Sequence, residues 1–234
     1  MSPVLFIALL GGVLPALLWL AFWLMEDRCE PEPKRYIILT FIGGGLSVFV
    51  ALWLERYIMN TSLPGLGILT GTSLLLAWAT IEELVKFGAA YFIAMRSRAF
   101  DEPLDAVVYM ITAALGFAAF ENTLFLLTPL QDGDVLKTII TGDLRFIGST
   151  LLHTLASATI GIALALAFYK RAAVKRLYAL VGVILSIFLH AVFNFFILGA
   201  GGGATFWVFL CIWLGVVMVL FMTEQIKQPA RDYC

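Results

Sequence analysis

"TIEELVK", Thr80 to Lys86, places two glutamates and a lysine inside an apolar run that extends from about residue 66 to residue 95. A membrane crossing takes roughly 20 apolar residues, so the run is long enough to span. Whether its three ionisable groups belong in lipid or in water decides the fold. The whole chain is 62% hydrophobic and 13% charged, with a mean hydropathy of +0.97. Those values lie outside the range of soluble domains and within that of polytopic membrane proteins. Further apolar runs occupy about 4–24, 36–54, 104–128, 146–169, 177–198 and 204–222. The expected fold is therefore all-α, a polytopic transmembrane helix bundle of about seven spans. Residues 1–234 read as a single integral membrane domain, with its motifs confined to about 66–198.

The first run lacks a basic n-region and a small-x-small cleavage site, so it is expected to be a span and not a signal peptide. Eleven of the fifteen basic residues fall in four segments: Arg28, Lys34 and Arg35; Arg96 and Arg98; Lys170, Arg171, Lys175 and Arg176; Lys227 and Arg231. Arg56, Lys137 and Arg145 fall in the alternate loops. Basic residues accumulate in cytoplasmic loops, which puts the N-terminus outside and the C-terminus in the cytoplasm of a multi-pass protein of the cell membrane. Cys29, Cys211 and Cys234 have no paired spacing and suggest neither a disulfide framework nor a thiolate metal site. Cys234 is terminal, so it does not form a prenylation box. The net charge of −1 gives no basis for a nucleic-acid partner; the expected surroundings are the lipid bilayer.

Charged side chains near mid-bilayer cost roughly 2.5 to 3.5 kcal/mol each on insertion scales, so Glu82, Glu83, Lys86 and Glu121 unpaired would cost on the order of 10 kcal/mol. On a helix, with Glu82 at 0°, Glu83 lies near 100° and Lys86 near 40°. One ammonium thus projects between two carboxylates. The bland alternative is an ion pair that only fixes helix packing. "GFAAFEN", Gly116 to Asn122, adds a further acid, Glu121, with no basic residue within a helical turn. Its partner must come from another helix, a metal or a proton.

The only two histidines, His153 and His190, fall in apolar spans and belong to stripes of spacing four: Ser149, His153, Ser157, Gly161, and Gly182, Ser186, His190, Asn194. Residues at i and i+4 share a face, and small residues on that face let helices approach closely. The stripes are expected to face the bundle interior. Counted at about 1.5 Å per residue, the acids, imidazoles and Asn194 fall in a zone roughly 6 to 25 Å below the outer boundary.

Imidazole and carboxylate together are the ligands of catalytic zinc, which lowers the pKa of water to about 7. No HExxH is present, so ligands would come from separate helices. A metal-free version, in which a glutamate activates water while histidine and Asn194 stabilise the oxyanion, suits the same residues. A proton- or ion-coupled transporter also uses intramembrane carboxylates and histidines, but no inverted repeat is evident. A retinal protein lacks its lysine in the last span, and a haem bundle leaves the glutamates unexplained.

"EELVK", then "FDEPLDAVVY" from Phe100 to Tyr109, then "GFAAFEN", then a histidine in the fifth span and HxxxN in the sixth resemble the PrsW family of intramembrane proteases. That family is related to the CAAX prenyl endopeptidases, which carry EExxxR, FxxxH and HxxxN motifs. The resemblance covers Thr80 to Asn194, about half the chain. Lys86 stands where the prenyl proteases have an arginine one place later, and Glu121-Asn122 where they have a histidine, so the PrsW branch fits better. Met110 departs from a glycine in the family pattern. The resemblance implies an endopeptidase of membrane-anchored substrates, such as an anti-sigma factor cut first near the outer surface. By carry-over, Glu82 and Glu83 are the water-activating or metal-binding pair, and Glu121, His153 and His190 are further ligands or proton carriers. Asn194 is a supporting or oxyanion group, and Lys86 keeps the carboxylates ionised. The implied metal set is Glu83, Glu121, His153 and His190, with zinc the metal. Asp101 and Asp105 match the family's acidic loop but fall at the cytoplasmic end of span four, where capping of that helix is expected.

Overall fold

The computed structural model describes residues 2–25, 31–60, 71–199 and 205–227. Arg28, Cys29, residues 66–70, residue 204, Arg231 and Cys234 lie outside the described residues. The described residues contain no β-strand. The helices are α1 (Pro3–Leu24), α2 (Lys34–Asn60), α3 (Thr72–Ala90), α4 (Pro103–Gln131), α5 (Val135–Leu144), α6 (Thr150–Leu166), α7 (Ala172–Gly199) and α8 (Thr205–Ile226). A π turn, Tyr91–Met95, extends α3, and a second, Arg145–Ser149, joins α5 to α6. Among the described residues, counting the continuous stretch Val135–Leu166 as one, six helices are long and apolar enough to cross a membrane. The seventh, α3, is the one that carries Glu82, Glu83 and Lys86. The chain is a multi-pass membrane protein with the all-α bundle fold expected of it.

α4 is the central helix, packed by α1, α2, α3 and α6. Its sequence allows this, because Ala106, Ala113, Ala114, Gly116, Ala118 and Ala119 let neighbouring backbones approach. The closest approach is to α2. A Cβ on Gly44 would collide with the Ala113 carbonyl, and one on Gly116 with the Phe41 carbonyl. The outer helices instead expose large apolar side chains such as Phe6, Trp53, Phe188 and Phe221, the pattern of a lipid-facing surface.

The ends of α4 are set by local chemistry. Asp105 Oδ2 accepts from the backbone N–H groups of Asp101 (2.8 Å) and Glu102 (2.9 Å), completing a capping box with Glu102. The expected capping role is filled by Asp105, while Asp101 contributes only its backbone. At the other end Gly133 adopts φ 71°, which a glycine takes without strain, and Asp134 caps α5 through Lys137 N (2.9 Å). The result is a helical hairpin whose second arm runs 32 residues without a break, about 48 Å at 1.5 Å per residue. The expected span began at 146, which left Lys137 and Arg145 in a loop; both lie in helical turns of this arm instead.

Candidate active site

α3 supplies the floor of the site. Lys86 Nζ lies 2.6 Å from Glu83 Oε1 and 3.7 Å from Glu82 Oε2, with the Phe117 ring centroid 4.5 Å away. Lys86 and Glu83 are fully buried. Glu83 is also saturated: its Oε1 accepts from Lys86 and from His190 Nδ1 (2.8 Å), and its Oε2 accepts from Ser157 Oγ (3.2 Å) and Ser186 Oγ (2.8 Å). The two spacing-four stripes thus converge on one carboxylate, each stripe offering the serine four residues from its histidine.

The partners determine the tautomers of both histidines. An ammonium has only hydrogens to give and a carboxylate only lone pairs. His153 Nδ1, 2.7 Å from Lys86 Nζ, therefore accepts, and its Nε2–H donates to Glu121 Oε2 at 3.0 Å. His190 is reversed, with Nδ1–H on Glu83 and Nε2 bare.

Glu121 is held from the other side by Arg145. The guanidinium donates through Nη2 to Glu121 Oε2 and to Ser149 Oγ (3.1 Å), and through Nε to Asn122 Oδ1 (2.6 Å). It also lies 3.8 Å over the Phe125 ring. Asn122 in turn donates to Thr150 Oγ1 at 3.0 Å. The partner that Glu121 requires is thus an arginine from the α5–α6 arm.

Glu82 is what remains. Its Oε2 is buried without a hydrogen-bond partner. Around that oxygen stand Lys86 Nζ at 3.7 Å, His190 Nε2 at 3.8 Å and His153 Nδ1 at 4.0 Å. Glu82, His153 and His190 each offer an atom for a metal, all within 4.8 Å of one another. Of the metal set expected from the sequence, His153 and His190 belong to this group together with Glu82, while Glu83 and Glu121 lie in ion pairs and accept from the outer nitrogens of the two imidazoles.

A cavity of about 600 Å³ opens above this floor, walled by residues of α2 to α8 and by the π turn that carries Arg145. Its polar lining includes Glu82, Glu121, His153 and His190, and Asn194 stands on the wall one turn beyond His190. Two further lining residues, Arg145 and Glu55, were missed in the sequence. Both lie just past the limits drawn for the spans, and each belongs to a helix that runs on beyond those limits. The arrangement brings a carboxylate oxygen and an imidazole nitrogen, each without a hydrogen-bond partner, together beside the cavity, and either group is able to take a proton from water.

A family model described as PrsW family intramembrane metalloprotease matches residues 32–223. Protease PrsW of Geobacillus kaustophilus is 32% identical over 189 residues, covering 80% of this chain and 78% of that protein. Protease PrsW of Clostridioides difficile is 29% identical over 191 residues, covering 80% and 77%. Protease PrsW of Shouchella clausii is 21% identical over 223 residues, covering 95% and 96%. No solved structure matches the chain.

Proposed function

Because the chain belongs to the PrsW family of intramembrane proteases, we propose that it hydrolyses a peptide bond of a membrane-anchored protein, with Glu82 as the group that acts on water. An anti-sigma factor is the kind of substrate the resemblance suggests. The observation that carries this reading is the unpartnered Glu82 Oε2, 3.8 Å from the bare Nε2 of His190. A water held between them loses a proton to Glu82 or His190 as its oxygen adds to the scissile carbonyl. The C–N bond then breaks, and the same proton passes to the leaving nitrogen. Asn194 lines the cavity, and in this reading its amide N–H donates to the developing oxyanion. A substrate helix must unwind locally to expose its carbonyl, and exposed backbone is tolerated in a membrane only where protein or a wet cavity satisfies it. The polar lining of the cavity suits that need.

Zinc fits the residues present, because the Glu82 oxygen is orphaned and the donors are two histidines and a glutamate. Glu82, His190 and His153 would hold it, His190 through its bare Nε2 and His153 through Nδ1, the nitrogen that Lys86 now bonds. When bound, zinc supplies Lewis acidity that lowers the pKa of water to about 7 and polarises the carbonyl. Glu83 and Glu121 then act on the imidazoles, accepting the far N–H and turning the other nitrogen inward.

The test is cleavage of a membrane-anchored substrate by the purified protein in lipid nanodiscs. Glu82→Gln should abolish the product while the protein stays folded. Wild-type rates from Glu82→Gln would end this assignment.

A further inference from the structure

The hydrogen bonds of the site form one continuous chain: Arg145 to Glu121, Glu121 to His153, His153 to Lys86, Lys86 to Glu83, Glu83 to His190. Its two halves repeat one design. In each, a cation pins a carboxylate and the carboxylate takes the outer N–H of a histidine, so that the inner nitrogen faces Glu82. For His190 the pinning cation is Lys86, from α3 itself. For His153 it is Arg145, which neither the family motifs nor the spacing of the sequence singles out.

We propose that Arg145 is a positioning residue of the active site: by holding Glu121 it fixes the ring orientation of His153, whose tautomer Lys86 already imposes at Nδ1. The inference rests on the site reading above and extends it to a residue that does not face Glu82. Three features carry it. Among the described residues Glu121 has no other lysine or arginine at hydrogen-bond distance; Lys86 bonds Glu83 and His153 instead. Arg145 is anchored independently of Glu121, by Asn122, Ser149 and the Phe125 ring, so it is a fixed point to which a carboxylate can be tied. Finally, Arg145 opens a π turn in which the N–H of Thr150 bonds the Arg145 carbonyl. The extra residue in that turn resets the helix register between Arg145 and His153, and such turns concentrate at functional sites. The planar fork of arginine presents its donors in a fixed geometry, whereas a lysine ammonium is a point charge on a flexible stem.

The chain contains only two histidines, so ¹⁵N-histidine labelling of the protein in nanodiscs reports both rings without ambiguity. In the wild type His153 should carry its proton on Nε2. Arg145→Gln should release Glu121, shifting and broadening the Nε2–H signal of His153 while His190 keeps its Nδ1–H signal. Loss of an orienting partner of this kind typically lowers activity by about 10- to 100-fold; here the loss should appear in kcat, with KM within about twofold. Arg145→Lys should recover part of the kcat. Because Arg145 acts through Glu121, the Arg145→Gln change should have no further effect in a Glu121→Gln background. The proposal is overturned if the His153 Nε2–H signal keeps its wild-type position and width in both Arg145 variants, or if the two changes multiply. Should Arg145→Gln fail to fold, Arg145→Lys carries the same readouts. The spectrum needs no substrate, so it separates failure of this inference from failure of the protease assignment.

Discussion

His153 and His190 meet edge to face, with ring centroids 5.1 Å apart and planes at 78°, and they turn opposite nitrogens toward one oxygen, Glu82 Oε2. His153 presents Nδ1 at 4.0 Å and His190 presents Nε2 at 3.8 Å. Two imidazoles on different helices can share a target in this way only if their outer nitrogens are held by separate acceptors, here Glu121 and Glu83. Histidine-specific ¹⁵N spectra of the wild-type protein should therefore contain one ring of each neutral tautomer. Two rings of the same tautomer would contradict the placement of both carboxylates.

Glu82 and Glu83 are adjacent in sequence but should answer differently to the same substitution. Glu83→Gln leaves the fully buried Lys86 ammonium without its 2.6 Å partner, and breaking a buried pair from one side costs about 3 to 5 kcal/mol. Glu82→Gln removes no ion pair at hydrogen-bond range, so thermal unfolding in detergent should be nearly unchanged. Its activity should fall by about 10² to 10⁴, the range of a lost general base. Equal stability losses in the two variants would show that the roles are not divided as described.

Ser157 and Ser186 test the same division from the serine side. Each donates to Glu83 Oε2, at 3.2 and 2.8 Å, from fully buried positions. Removing a hydrogen bond to a buried charge costs about 1.5 to 3 kcal/mol. Ser186→Ala, which loses the shorter bond, should destabilise the protein more than Ser157→Ala, and the order is checked by denaturation midpoints. The reverse order would mean that the two donors are not ranked by distance.

Much of this site was legible in the sequence because helical periodicity is rigid. The angles assigned to Glu82, Glu83 and Lys86 place one ammonium between two carboxylates, and the distances of 3.7 and 2.6 Å agree. The spacing-four stripes put Ser157 with His153 and Ser186 with His190, and both serines reach Glu83. What periodicity could not supply was the division of labour among the acids, which depends on which side chains from other helices arrive first. Glu83 and Glu121 were expected as ligands by carry-over from the family resemblance; in the structure each accepts the outer N–H of a histidine. Arg145 and Glu55 were missed for a different reason. Hydropathy falls at a charged residue, so each apolar run was closed there, whereas α2 continues to Asn60 and the arm of α6 begins at Val135. A helix is not obliged to end where its apolar run does, since backbone hydrogen bonds continue past the hydrocarbon boundary.

The metal can be separated from the metal-free version by how variants group. If zinc is held by Glu82, His153 and His190, elemental analysis of the purified protein should find about one zinc per chain, and Glu82→Ala or His190→Ala should abolish stoichiometric binding. Glu83→Gln and Glu121→Gln should behave differently. Each leaves all three donor residues in place but frees an imidazole to rotate, which weakens metal affinity by about 10- to 100-fold without eliminating it. Those two variants should regain zinc, and part of their activity, when the metal is supplied in excess. A strong chelator should stop cleavage by the wild type, and added zinc should restore it. Full cleavage by chelated protein shown to be free of metal would instead leave Glu82 and the bare Nε2 of His190 as the groups that take the proton from water, since no other carboxylate oxygen of Glu82, Glu83 and Glu121 is buried without a partner.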